Sequence, residues 1–316
     1  MPHDDDLRRG AIAGICTYVV WGLLTLYWKQ LHGFDAFELI GWRIVFAALT
    51  MAVVLTFTRR WTPVRAVFVD RVLLARVCLT AVLLTVNWTS YVWAVVHDHV
   101  IEAALGYFIA PITTALVGVV VLHERMRRAQ WVAMVFAVAA VGVLTFSYGQ
   151  VPWLALSIAG SWTAYVYLKR GVPLSPVESM AAESFVLLAP AAVVLALVAG
   201  RSGSVLDAAT GWQMVMVAGL GVTTVAPLMG LAFAAQRVPL TLLGPMQYSV
   251  PTINFLLGWL VYDESLPPSR VVGFALVWIG LAVITVDTVQ RTRTARLGSP
   301  APADVGPDAT AAVRQP

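Results

Sequence analysis

The stretch HDHVIEAALGYFIAPITTALVGVVVL, residues 97–122, decides how this chain is read. Three ionisable side chains open it, and after them Glu102 is the only charge before Leu122. A helix over residues 101–122 rises 1.5 Å per residue, so it spans roughly 30 Å, the hydrocarbon thickness of a bilayer. The stretch therefore reads as a solvated turn followed by a membrane helix. The whole chain has the same character: 316 residues, 59% hydrophobic, 12% charged, mean hydropathy +0.79. A soluble domain carries about 25% charged residues, so there is too little polar side chain here to cover a globular core. Alternating strand patterns are absent, so the expected class is an all-α polytopic membrane protein.

Ten spans are expected, at residues 10–28, 38–57, 72–96, 101–122, 130–147, 152–168, 179–199, 212–235, 240–261 and 270–289. The sixth is diluted by Ser157, Ser161, Thr163 and Tyr165. With the amino terminus inside, fifteen basic residues fall in cytoplasmic segments, and only Lys29, Arg201 and Arg270 fall outside. That bias orients the chain with both termini in the cytoplasm. The apolar run up to Trp28 has no small-residue cleavage site and reads as a retained first helix. Residues 290–316, rich in Pro, Ala and Gly toward the end, read as a disordered tail. Cys16 and Cys78 sit inside apolar runs as small hydrophobes. A net charge of +4 scattered over short loops gives no basic patch for nucleic acid.

Shifting the chain by 140 residues lays Lys29 on Lys169, Glu38 on Glu178, Pro111 on Pro251, Gly118 on Gly258 and Glu124 on Glu264. Ionisable Arg43 falls on ionisable Glu183. Two five-helix repeats follow, residues 10–147 and 152–289, between an amino-terminal segment 1–9 and the tail. Five is odd, so the second repeat is expected to be inverted relative to the first, an arrangement that recurs in secondary transporters.

The segments WGLLTLYWK (21–29), NWTSYVWAV (87–95), HDHVIEAALGYFIAP (97–111), HERMRRAQW (123–131) and LGPMQYSVPTINFLLG (243–258) are similar to those of the RarD branch of EamA-type proteins. These belong to the drug/metabolite transporter superfamily. The resemblance covers nearly the whole chain except the tail. It implies a secondary transporter of the bacterial inner membrane, but it supplies no substrate.

No GxxxxGK[ST] motif exists, so ATP-driven pumping by a P-loop on this chain is excluded; neither GxSxG nor HExxH is present. No cofactor is expected. Transport would run on a gradient, with a small organic solute and the bilayer as partners. Charges inside spans normally face a cavity or a partner. Arg43 is expected to contact Glu102 near the outer mouth, as gate or clamp, with snorkelling as the bland alternative. Glu183, a buried carboxylate without an evident partner, is the candidate for proton coupling; helix capping or pairing with Arg237 is the alternative. Pro111 and Pro251 are expected near the middle of their spans, each freeing a backbone carbonyl. Around them Asn87, Trp88, Tyr91, Trp93, Tyr107, Phe108, Gln247, Tyr248 and Asn254 are expected to line a mixed aromatic and polar pocket. Gly106, Gly118, Gly244, Gly258, Gly273 and Gly280 are read as close helix contacts, and Glu124 and Glu264 as solvated or paired structural residues. A metal site or enzyme on His97, Asp98, His99 and Glu102, and a sensor or scaffold, are the competing functional classes.

Overall fold

The computed structural model describes residues 4–121, 123, 128–148, 151–238 and 246–297. Glu124, Arg125, Arg127, Gly244 and the tail beyond residue 297 lie outside them. Among the described residues the chain is all α-helical: α1 (Asp4–Lys29), α2 (Ala36–Thr58), α3 (Trp61–Val69), α4 (Arg71–Val96), α5 (Val100–Val120), α6 (Arg128–Tyr148), α7 (Trp153–Lys169), α8 (Pro176–Val198), α9 (Val205–Ala208), α10 (Gly211–Ala235), α11 (Ser249–Leu260) and α12 (Pro268–Leu297). Seven are long and apolar enough to cross a bilayer: those beginning at residues 5, 36, 71, 100, 176, 211 and 268. The other three expected spans correspond to α6, α7 and α11, which offer shorter apolar stretches.

Two boundaries differ from expectation. α1 starts at Asp4 rather than residue 10, because three aspartates in its first turn complement the positive end of the helix dipole. α12 continues to Leu297, so residues 290–297 are helix and not tail. The sequence QRTRTARL carries good helix formers.

The 140-residue offset is written into the helix starts. α2 and α8 begin at Ala36 and Pro176, α4 and α10 at Arg71 and Gly211, α6 and α12 at Arg128 and Pro268. Caps repeat at the same offset. Asp35 accepts from the N–H groups of Phe37 and Glu38, and Asp70 from those of Val72 and Leu73. Their counterparts Ser175 and Thr210 form capping boxes with Glu178 and Gln213. Each cap satisfies amide groups that a helix leaves open at its start.

Packing follows the same relation. α2 packs on α8, α5 on α11 and α6 on α12, each helix against its own counterpart. α1 packs on α10 and α11, while α7 packs on α4 and α5. α2 touches α10, and α8 touches α4. Exchanging the halves returns the same set of partners. The first helix of each half therefore belongs structurally to the other half.

Close crossings fix these pairs. A Cβ on Gly221 in α10 would overlap the Phe46 carbonyl oxygen and the Thr50 hydroxyl of α2. One on Gly106 in α5 would stand 2.8 Å from Ile158 Cβ and 2.9 Å from the Ala155 carbonyl oxygen in α7. Two buried carboxylates also tie the halves through backbone. Glu38 accepts from Val205 N–H at 2.9 Å. Glu264, expected to be solvated or arginine-paired, is instead buried and accepts from the N–H groups of Val100 and Ile101 at 2.6 and 2.9 Å, capping α5. Burial raises the Glu264 pKa, and the two amides pull it back down.

Gly221→Ala is expected to lower the thermal midpoint of the purified protein in detergent by an amount matching about 1–3 kcal/mol of overpacking. Gly160→Ala, where a new Cβ meets nothing within 4 Å, should leave it unchanged or raise it slightly. Glu264→Ala removes both cap bonds of α5 and should cost about 1–2 kcal/mol in the same assay, with Glu264→Gln intermediate.

Candidate functional site

A cavity of about 160 Å³ lies where the two halves meet. α1 contributes Tyr18, Trp21, Leu24 and Trp28, and α2 contributes Arg43. Asn87, Trp88 and Tyr91 come from α4, and Tyr107, Ala110 and Pro111 from α5. Trp162 of α7 and the segment Gln247, Tyr248, Val250 and Pro251 complete it. Half of the lining residues are aromatic, and each half of the chain adds one amide, Asn87 and Gln247.

Arg43 is 7% exposed, and its guanidinium lies 3.9 Å from the Trp88 ring centroid and 5.4 Å from that of Trp28. Its Nε donates to Thr224 Oγ1 of α10 at 3.1 Å. A charge in mid-membrane costs roughly 2.5–3.5 kcal/mol on insertion scales. A desolvated cation–π contact returns about 2 kcal/mol of that, so the tryptophans are part of why the arginine is tolerated. No contact joins Arg43 to Glu102 among the described residues. Glu102 sits at the first turn of α5, partly solvated, with His99 Nδ1 at 3.7 Å. The shared depth expected for the two residues does not make them neighbours: Arg43 faces the cavity, whereas Glu102 lies beside His99 and Arg270.

A polar network holds the walls in place. Tyr107 Oη donates to Asn87 Oδ1 at 3.0 Å, and Asn87 Nδ2 donates to the Ile158 carbonyl at 3.0 Å. One amide thus joins α4, α5 and α7. Thr25 Oγ1 lies 2.8 Å from Tyr91 Oη and donates to Asn254 Oδ1 at 2.7 Å, joining α1, α4 and α11. Asn254 therefore stands behind the lining, bracing it, rather than within it.

Pro111 lies inside α5, and just before it the Ala110 carbonyl accepts from the hydroxyls of Thr114 and Thr113 at 2.8 and 3.0 Å. Pro251 differs from expectation: it falls in the first turn of α11, where a missing N–H costs nothing. Both prolines nonetheless face the cavity.

Two other expected lining residues face elsewhere. Phe108 packs against Phe274 and Trp278, with ring centroids at 6.0 and 6.4 Å, because one residue along a helix turns the side chain about 100° from Tyr107. Trp93 is exposed and stacks on His97 and His99 at 4.5 and 5.5 Å, being about 200° around the helix from Tyr91. Those stacks and the pairing of Asp98 with Lys29 order the turn at residues 97–99. Among the described residues, no group of three or more His, Cys, Asp or Glu side chains is placed to hold a metal.

Glu183 is 1% exposed and, against expectation, has fixed partners outside the cavity. Lys169 Nζ lies 2.5 Å away, Thr80 Oγ1 donates at 2.7 Å, and Tyr165 Oη donates at 3.4 Å. Lys169 ends α7 fourteen residues earlier, a separation that hid the pair from local inspection.

The sequence reading missed Tyr18, Trp21, Trp28 and Trp162. The first three carried a signal: with Leu24 they recur at spacings of 3, 3 and 4, one face of a helix.

The EamA-like transporter family profile matches residues 8–146 and again residues 150–286. Protein RarD of Streptomyces exfoliatus is 38% identical over 296 residues, covering 94% of each chain. An uncharacterized transporter of Vibrio cholerae is 31% identical over 296 residues, covering 93% of this chain and 98% of its own. A solved crystal structure, 18% identical, superposes with a TM-score of 0.60 over 88% of this chain and 98% of that one, a likeness of fold. The chain belongs to the EamA-like transporter family, in the RarD branch of the drug/metabolite transporter superfamily.

Proposed function

We propose that the protein is a secondary active transporter of the bacterial inner membrane, moving small organic solutes by alternating access. The observation that carries this reading is the cavity itself, walled by helices of both repeats at their junction. In this reading each half supplies five spans: α1, α2, α4, α5 and α6, then α7, α8, α10, α11 and α12. An odd number inverts the second half and puts both termini on one side, which the bias of basic residues makes the cytoplasm. Exchanging the conformations of inverted halves moves the opening from one face to the other. The interleaved packing, in which α1 and α7 each cross to the opposite half, supports such an exchange because the two halves present the same set of contacts.

The driving gradient in this reading is the proton gradient, and the Glu183–Lys169 pair is where a proton is exchanged. Lys169 Nζ lies 2.5 Å from the carboxylate, at the end of α7. In this reading, breaking and remaking that contact couples proton exchange to movement of the end of α7 against α8.

The protein in liposomes, screened with radiolabelled amino acids, nucleosides and amphenicols with and without a pH gradient, is expected to accumulate at least one solute. Flux of none, with no solute raising the thermal midpoint, would overturn the transport reading. Glu183→Gln is expected to keep solute exchange across the membrane while losing the acceleration by a pH gradient. Unchanged gradient-driven uptake in that variant would remove Glu183 from the coupling role.

A further inference from the structure

We propose that the cavity selects small organic anions, a carboxylate or sulfonate on a body about one aromatic ring in size, and that Arg43 clamps the acid group. The proposal deepens the transport reading by naming the class of its substrate.

Among the described residues that line the cavity, Arg43 is the only charged side chain. Its one hydrogen bond among the described residues uses Nε, on Thr224. The two terminal nitrogens are left for whatever enters, and they present the parallel N–H donors that match a carboxylate or sulfonate. Among the described residues no acid takes that position. Glu38 is bonded to Val205 N–H, Glu264 to the start of α5, and Glu183, the repeat counterpart of Arg43, to Lys169 and Thr80. Among the described residues the buried carboxylates are thus already occupied, and the buried guanidinium of Arg43 lacks a counter-charge.

The rest of the cavity suits the remainder of such a molecule. Trp28 and Trp88 already flank the guanidinium, while Trp21, Trp162 and Tyr248 add flat apolar surface. A cavity of about 150 Å³ holds a benzene molecule, so about 160 Å³ admits a one-ring body. An organic cation would meet an unshielded positive charge and no acid. A neutral ring would leave the guanidinium desolvated and unpaired, which costs more than an ordinary unmade hydrogen bond.

Three permanently charged or neutral probes separate these cases: benzenesulfonate, benzyltrimethylammonium and benzamide. The purified full chain is placed in vesicles of zwitterionic lipid, so that no lipid headgroup supplies an anion. Benzenesulfonate is expected to raise the thermal midpoint and to exchange across the membrane, with benzoate competing; the other two should do neither. Arg43→Gln should weaken benzenesulfonate binding about tenfold or more, as loss of a charge-assisted pair implies. Arg43→Lys should keep the preference for anion over cation at reduced affinity, so the proposal stays testable even if Arg43→Gln fails to fold. Binding or flux of benzyltrimethylammonium equal to that of benzenesulfonate would overturn the proposal and leave the transport reading intact. So would an anion preference unchanged in Arg43→Gln. Stabilisation by benzenesulfonate without flux of any solute would keep the anion site and sink the transport reading. No stabilisation by benzenesulfonate, alongside flux of other solutes, would sink the anion site alone.

Discussion

Hydrocarbon offers no hydrogen-bond partner, and most of this structure follows from that. Inside a helix the backbone satisfies itself, but every helix leaves amides open at its start and carbonyls open at its end. This chain closes many of those ends with its own side chains. Asp35, Asp70, Ser175 and Thr210 cap the helices that begin next to them. Glu38 and Glu264 do the same work over long range, reaching amides more than 160 residues away. The local caps set where spans begin, and the distant ones fix how the halves meet.

The same medium makes charges conspicuous and gives each a reason. Arg43 and Glu183 occupy equivalent places in the two repeats, yet the chain treats them differently. Glu183 has a lysine, a threonine and a tyrosine around it and is closed off. Arg43 has a threonine and two tryptophan faces and opens on the cavity. A duplicated framework has thus come to hold one neutralised charge and one unneutralised charge. Because the backbone geometry is shared, the difference rests on side chains: Thr224 and Trp88 on one side, Lys169 and Thr80 on the other.

Much of the cavity was legible before any coordinates. Arg43, Asn87, Trp88, Tyr91, Tyr107, Pro111, Gln247, Tyr248 and Pro251 all face it. They were legible because polar and aromatic residues near a proline in an apolar span need either a partner or a space. Phe108 and Trp93 misled because they shared the composition of their neighbours but not their helix face. Glu102 misled because depth in the membrane was read as proximity. Tyr18, Trp21 and Trp28 were overlooked for the opposite reason: a regular stripe in a first span looks like lipid contact until another helix is seen opposite it. The stripe faces the cavity, which Trp88 and Tyr91 of α4 and Pro251 of α11 also line, and no local pattern encodes that.

What the sequence determined by itself was everything that depends on near neighbours or on repetition. Apolar run length, cap residues and the 140-residue offset follow from covalent spacing and the helix period, which need no knowledge of contacts. Tertiary structure decided which charges meet. Lys169 with Glu183, Asp98 with Lys29, and Arg43 with no acid among the described residues are outcomes of how the helices pack. An ion pair is decided over a few ångströms, and in a bundle of this length those ångströms are set by packing, which the order of residues along the chain does not state.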